Sequence, residues 1–149
     1  AFSFECMPVT LKKTTARTWE KGRVVNLERA LRQKDLLDGH LIQGHVEGRA
    51  RIISIKEEGR SKSLTLALPK TLAKNIALHG SVAVNGVSLT VSRTRDANVT
   101  VSLIPYTLSR TNLDALRKGD EVNIETDFLV RHLSKKGDKV TANAARRAQ

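Results

Sequence analysis

The chain repeats itself at a fixed offset of 97 residues, and nothing else in it constrains the fold as strongly. Near the start stand Met7-Pro8-Val9-Thr10-Leu11-Lys12-Lys13-Thr14, then Lys21-Gly22, then Val25-Asn26-Leu27-Glu28. Near the end stand Ile104-Pro105-Tyr106-Thr107-Leu108-Ser109-Arg110-Thr111, then Lys118-Gly119, then Val122-Asn123-Ile124-Glu125. Nine identities recur in register within about 25 positions, more than chance supplies. The 149 residues therefore read as two copies of one domain. If one copy spans about 97 residues, its closing third lies at 101–133 and its opening lies near residue 36. The first copy then shows only its closing third, residues 1–35, without an opening of some 60 residues. The chain opens on Ala1 rather than Met, and the repeat predicts an N-terminally incomplete two-domain protein.

Composition narrows the function classes. A single cysteine, Cys6, excludes an intramolecular disulfide and a Cys-rich zinc site. No stretch approaches the roughly 20 apolar residues that a membrane-spanning helix needs. A net charge of +11 first suggests a nucleic-acid or anionic partner. The charge is terminal, however. Residues 1–36 hold eight Lys/Arg against four Asp/Glu, residues 128–149 hold six against one, and the long middle carries only +2. Aromatics are 3% of the chain and do not interleave with the basic residues, which argues against a base-stacking surface. Residues 134–149 read as a basic, disordered tail.

Strand signals dominate the rest. Leu41–Ile55 is a long β-type run in which Gly44 and Gly48 suggest bulges or bends. Ser63–Leu68 alternates into Pro69, and Ser81–Val84 and Val87–Val91 flank an Asn85-Gly86 hairpin turn. Asn98–Leu103 and Glu121–Thr126 complete the set, with Phe2–Cys6 and Arg23–Arg29 as their first-copy equivalents. Helical pieces are short: Thr71–Ala77, Thr107–Leu116 with a Thr111/Asp114 capping-box pattern, and Asp127–Ser134. Short strands with polar turns predict an all-β fold built on a small antiparallel barrel.

Periodicity places side chains as well. Val87, Leu89 and Val91 share one face of their strand, while Ser88 and Thr90 project from the other. Two neighbouring hydroxyls can read the edge of a polar heterocycle, although Ser and Thr are also common on solvent faces. His40 and His45 lie five apart, so one unbroken strand would face them to opposite sides. That is poor geometry for a shared metal, and no metal site is expected. His79 and His132 read as surface residues. No dinucleotide-binding or Walker-type loop is present in the sequence.

Four segments together are more specific. They are Val25-Asn26-Leu27-Glu28-Arg29-Ala30, Asp38-Gly39-His40-Leu41-Ile42-Gln43-Gly44-His45-Val46, Val84-Asn85-Gly86-Val87-Ser88-Leu89-Thr90-Val91 and Leu103-Ile104-Pro105-Tyr106-Thr107-Leu108. In order and spacing the chain resembles the riboflavin synthase family of the alpha-chain type over residues 2 to about 133. The resemblance implies tandem six-stranded antiparallel Greek-key barrels. Residues 1–35 would close a first, incomplete lumazine-binding barrel, residues 36–133 would form the second, and 134–149 would lie outside both.

The family's activity is dismutation of two 6,7-dimethyl-8-ribityllumazine molecules to riboflavin and 5-amino-6-ribitylamino-uracil. It implies no metal or organic cofactor, a homotrimer with sites between barrels of neighbouring subunits, and a cytoplasmic or plastid location. Carried over by residue, Ser88, Leu89 and Thr90 would grip the pteridine edge. Ile104, Pro105, Tyr106, Thr107, Leu108 and Ser109 would form the adjoining wall, with Thr107 a polar contact. Glu5, Cys6, Met7, Pro8, Val9 and Thr10 would form the first-barrel wall, and Gly44, His45 and Val46 would touch its ligand. His79 would lie by the ribityl chain, where the family shows a Lys. His45, Ser88 and Asp127 are the expected catalytic groups. Asn85 stands where Asp is frequent and Asp38 where Gly is usual. Cys6 is not the nucleophile-like Cys of the family's first barrel, which is absent here, so this chain alone is expected to be inactive. The alternative is a non-catalytic relative that binds a lumazine or flavin; retention of His45, Ser88 and Asp127 favours the enzyme. An unrelated basic barrel binding nucleic acid fits the motif order poorly.

Overall fold

The computed structural model describes residues 3–37 and 39–131. Six strands close into a barrel: β1 (Gly48–Glu58), β2 (Ser61–Ala67), β3 (Ser81–Val84), β4 (Val87–Arg95), β5 (Asn98–Leu103) and β6 (Glu121–Thr126). Every pairing is antiparallel, and the order around the barrel is β1-β2-β5-β4-β3-β6. β3, β4 and β5 run as consecutive hairpins, and β6 returns by a longer connection to lie beside β3, a Greek-key arrangement. Closure removes exposed strand edges.

Alternation builds the core. Ile52, Leu64, Leu66, Val82, Val84, Val91, Val101, Leu103, Val122 and Ile124 all point inward and are fully buried. Each such side chain contributes about 1.5–3 kcal/mol of apolar burial relative to exposure. Asn85 and Gly86 both have positive φ, 49° and 80°, as a two-residue hairpin with right-handed strand twist requires. The sequence expectation at this turn holds.

Other boundaries move. The run from Leu41 joins the ladder only at Gly48 and continues to Glu58. The register irregularities fall between Ile52 and Ser54 and between Val91 and Arg93, not at Gly44 or Gly48. Gly44 precedes the ladder; a Cβ at Gly48 would stand 3.0 Å from Leu72 Cδ1, so that glycine admits the neighbouring helix instead. That helix, Lys70–Ala73, is shorter than the expected Thr71–Ala77.

The helices are α1 (Pro8–Lys13), α2 (Lys70–Ala73) and α3 (Pro105–Arg110). The stretch Thr107–Leu116 is therefore not one helix. Thr111 is extended (φ −131°, ψ 168°) and separates α3 from a 3₁₀ turn at Asn112–Ala115. Its hydroxyl donates to Thr107 O at 2.7 Å and accepts from Leu113 N–H at 3.3 Å. Asp114 does not complete a capping box; its Oδ1 holds Lys62 Nζ at 2.8 Å. Residues 128–131 begin a helical turn capped by Asp127, whose Oδ1 accepts from Leu129 N–H at 2.8 Å. The remainder of the Asp127–Ser134 expectation, His132 and the basic tail lie outside the described residues.

The repeat survives in three dimensions. α1 and its following 3₁₀ turn, Thr15–Thr18, match α3 and Asn112–Ala115 at the same offset of 97. Thr14 reproduces Thr111: its hydroxyl donates to Thr10 O at 2.8 Å and accepts from Ala16 N–H at 3.2 Å. The strands expected at Phe2–Cys6 and Arg23–Arg29 are not formed among the described residues. A strand exists only beside another, and no described strand lies against these segments. Phe4 is 60% exposed where its counterpart Val101 is buried, and Leu27 is 69% exposed where Ile124 is buried.

The two copies also bind each other reciprocally. Thr15 N–H donates to Asn123 Oδ1 and Asn112 N–H donates to Asn26 Oδ1, each at 2.7 Å. Thr15 and Asn112 are repeat equivalents, as are Asn26 and Asn123. Asn26 Nδ2 adds donations to Asn85 O at 3.0 Å and Asn112 Oδ1 at 3.1 Å.

Candidate functional site

The opening of the second copy, Gly39 to Glu47, forms an extended strap over the outer face of β4, β3 and β6. Its contacts fix its course. His40 Nδ1 lies 2.7 Å from Ser88 Oγ on β4. Gln43 N–H donates to Glu125 Oε1 on β6 at 2.9 Å. Glu47 Oε1 accepts from Thr126 N–H and Oγ1 at 2.8 and 2.6 Å and pairs with Arg131 at 3.4 Å. Ala83 on β3, opposite both Ser88 and Glu125 in the ladders, is 1% exposed although it points outward. The strap is what buries it.

Beside the strap lies a polar strip. Ser88 and Thr90 point away from the core, as their alternation with Val87, Leu89 and Val91 predicts; Ser88 is half-buried and Thr90 exposed. Thr90 pairs with Ser81, and Ser81 follows Gly80 and His79. His79 is exposed, has a positive φ of 63°, and donates its N–H to Val91 O at 2.9 Å. Continuing the β4–β5 register past Val91↔Val101 runs Ser88 toward Ile104, where α3 begins. Ile104, Pro105 and Tyr106 are exposed and Thr107 is half-buried, so a wall of mixed polarity flanks the hydroxyls. The Arg110 guanidinium covers the Tyr106 ring at 5.6 Å, and Ser109 Oγ donates to Tyr106 O. Asp127 follows Thr126, which pairs with Val82, and so reaches the β3 end of this strip.

Two side chains assigned to ligand contact turn inward. Leu89 is 6% exposed and belongs to the core, because it shares the inner face of β4; only its backbone can reach the strip. Leu108 packs partly against the same core from α3.

A second place lies on the other side of the strap. A cavity of about 530 Å³ is lined by Glu5, Cys6, Val9 and Thr10 of the first copy and by Gly44, His45 and Val46 of the strap. Phe4, Trp19 and Asn123 also border it. Met7 and Pro8 are exposed and do not line it. His45 is exposed, with Nδ1 3.2 Å from Gln43 Oε1. The chain thus brings Glu5, Cys6, Val9 and Thr10 to Gly44–Val46 around one cavity, whereas Ser88 and Thr90 are related to Ile104 and Asp127 by strand register alone. His45 lines the cavity, and Ser88 and Asp127 are not among its lining residues.

His40, Glu47 and Glu125 were not singled out as site residues by the sequence. Their partners are 48, 79 and 82 residues away, so no local spacing marks them. A perturbed titration lies elsewhere: the hydrogen bond that the Lys62 ammonium donates to Asp114 raises its pKa above the usual lysine value, against a smaller opposing effect of desolvation. No helix among the described residues is long and apolar enough to cross a membrane.

Comparison with known proteins gives these residues a context. A family model described as lumazine binding domain matches residues 43–127. A riboflavin synthase of Brucella abortus (strain 2308) is 42% identical over 134 residues, covering 90% of this chain and 66% of that protein. A riboflavin synthase of Bacillus subtilis (strain 168) is 39% identical over 132 residues, covering 89% of this chain and 61% of that protein. The chain therefore spans less than two-thirds of the length of these curated relatives. Among solved structures, LumP complexed with riboflavin aligns with a TM-score of 0.69 at 34% identity, over 78% of this chain and 63% of that one. LumP complexed with 6,7-dimethyl-8-(1'-D-ribityl) lumazine aligns with a TM-score of 0.67 at 32% identity, over 76% and 60%.

Proposed function

The chain belongs to the lumazine-binding domain family, and from that premise we propose that it serves in a riboflavin synthase, holding 6,7-dimethyl-8-ribityllumazine for conversion to riboflavin. Two molecules react: one gives up a four-carbon unit to the other, and 5-amino-6-ribitylamino-uracil leaves as the second product. The observation that carries the reading is the pairing of the two places. Four residues of Glu5–Thr10 line the cavity, and the proposal sets the repeat equivalent Ser102–Thr107 beside the strip of Ser88 and Thr90 as a second ligand surface of the same chain. A reaction between two identical flat molecules needs two such surfaces.

The chemistry asks little beyond placement and proton handling. The C7 methyl of the lumazine is acidic because its anion delocalises into the ring. Holding two rings in reacting geometry supplies about 7–11 kcal/mol of the barrier in favourable cases. In this proposal Ser88 and Thr90 read the ring edge of one lumazine, with Thr107 and Ile104 as its wall and Asp127 as the nearby proton acceptor. His45 serves the lumazine held by the cavity. Because His45 lines the cavity and Ser88 lies on the strip, the two rings meet when the cavity of one chain faces the strip of another, which fits a homotrimer. The compartment proposed is the cytoplasm, or a plastid. The domain reading also stands as a proposal, with 36–133 one lumazine-binding unit and 1–35 the closing part of another.

A lumazine or flavin carrier without turnover is the second reading. The structural neighbours complexed with riboflavin and with the lumazine favour it. Two measurements separate them. Fluorescence titration of the 149-residue chain should show quenching by the lumazine; no quenching at millimolar protein removes both readings. Riboflavin formation followed by absorbance, in a chain extended upstream through a whole first barrel, should show turnover. Binding without turnover in that longer chain leaves the carrier.

A further inference from the structure

The contact between His40 and Ser88 is unusual for a solvent-facing strand position. The distance of 2.7 Å is short for a neutral pair, and the partners are 48 residues apart in sequence. Gly39 presses on the same hydroxyl: a Cβ there would stand 2.9 Å from Ser88 Oγ, and its φ is +88°. The other ring nitrogen, His40 Nε2, is buried and has no hydrogen-bond partner among the described residues.

These facts select a tautomer. A neutral imidazole carries one N–H and one bare nitrogen. With the proton on Nε2, a buried N–H would have no acceptor, the rarer and costlier kind of orphan. With the proton on Nδ1, the bare Nε2 is the unsatisfied atom and Nδ1–H donates to Ser88 Oγ. Ser88 Oγ then has one of its two lone pairs taken from the strap side. Its own O–H must point elsewhere, and the open direction is the polar strip shared with Thr90.

We propose that His40 is a positioning residue that commits the Ser88 hydroxyl to donating, so that the strip selects a ring carbonyl or imine nitrogen over a ring N–H. The inference rests on the lumazine-binding reading for the identity of the ring, and on geometry alone for the state of the His40–Ser88 pair. Pyrimidinedione-type rings present both kinds of group along one edge. A fixed donor at Ser88 gives such a ring one orientation, where a freely rotating hydroxyl would accept either.

The test has two arms. In the ligand-free chain, long-range proton–nitrogen NMR of the imidazoles reads the tautomer. His40 should be protonated on Nδ1, and Ser88→Ala should abolish that preference. A wild-type His40 protonated on Nε2 overturns the proposal. The second arm titrates 6,7-dimethyl-8-ribityllumazine. His40→Asn puts an amide nitrogen where Nδ1 lies and should bind within about threefold of wild type, whereas His40→Gln reaches the Nε2 position and should bind about tenfold more weakly, the range of one lost hydrogen bond. His40→Ala and Ser88→Ala should weaken binding alike, and the double variant should add nothing further. Wild-type affinity in His40→Ala, or additive losses in the double variant, overturns it. If the wild-type chain binds no lumazine, the functional reading fails, while the tautomer arm still decides the state of Ser88.

Discussion

Asn26 and Asn123 are repeat equivalents with the same acceptor role, yet replacing each by Asp should have unequal consequences. Among the described residues Asn123 uses its side chain only through Oδ1, which accepts from the Thr15 N–H at 2.7 Å. A carboxylate accepts at least as well, so Asn123→Asp should change the docking of the first-copy segment by less than about 1 kcal/mol. Asn26 also donates, to Asn85 O and Asn112 Oδ1. Asn26→Asp loses both donations, each contributing about 1 kcal/mol, and sets a charge against two acceptors. Two effects soften the loss. The retained contact to Asn112 N–H gains strength from the charge, and the Asn112 amide can flip to donate, at the expense of its 3.2 Å bond to Val24 O. A net loss of about 2 kcal/mol remains, equivalent to about a 30-fold change in the local opening equilibrium. Native-state amide exchange reads it directly, through the Thr15 and Asn112 amides. Both should exchange about 30-fold faster in Asn26→Asp and nearly as in wild type in Asn123→Asp. Lowering the pH through the carboxylate range protonates the introduced carboxylate of Asn26→Asp, gives that side chain a donor again and should reverse the effect. Equal behaviour of the two variants would refute the reasoning, since only the donor roles distinguish them.

Three further outcomes are expected. In a chain extended to a whole first barrel, Asp127→Asn and His45→Ala should each lower riboflavin formation by about 10²–10⁴-fold, and full activity in either variant removes that residue from proton transfer. Gly39→Ala places a Cβ against Ser88 Oγ at a positive φ; urea unfolding should show a loss of about 1–3 kcal/mol, and an unchanged midpoint would mean that the strap is loose. The raised Lys62 ammonium gives its ion pair with Asp114 a stabilising effect that is complete below the usual lysine value of 10.5 and fades as pH rises through the higher value of the folded state. The stability difference between wild type and Lys62→Met should therefore be flat up to that pH and shrink above it, and a difference growing with alkalinity contradicts the assignment.

The legible parts of the fold were those encoded locally. The Asn85-Gly86 turn needs two positive φ values, and that pair of residues accommodates both. The helical hooks at Pro8–Lys13 and Pro105–Arg110 were not legible as such: the sequence predicts one helix at Thr107–Leu116 and none at Pro8–Lys13, because the break at Thr111 is set by its hydroxyl bonds to Thr107 O and Leu113 N–H. Phe2–Cys6 and Arg23–Arg29 have the same side-chain pattern as β5 and β6, yet the described parts of these segments are not strands, because pairing depends on a neighbour rather than on composition. The site divides the same way. Ser88 and Thr90 followed from period-two alternation. His40 did not, because its geometric meaning comes from Ser88, which the chain reaches only after closing the β1–β2 hairpin and entering β4. That His45 lines the cavity while Ser88 and Asp127 do not was equally invisible to spacing, since the cavity is closed by residues of Glu5–Thr10, about 35–40 residues before His45.

The reciprocal bonds of Thr15 with Asn123 and of Asn26 with Asn112 have an ancestry written into them. When position i of one unit meets position j of another, and the same pair meets again with the units exchanged, the interface is isologous, the geometry of a two-fold homodimer. Here both halves of that dimer belong to one polypeptide. In a true homodimer every substitution strikes both halves of the interface at once, so the two contacts can only drift together. Fusion breaks that bondage. Asn26 donates to Asn85 O and Asn112 Oδ1, and Asn123 makes no matching donation among the described residues, so the two halves of the interface are no longer equivalent and a substitution in one need not be answered in the other.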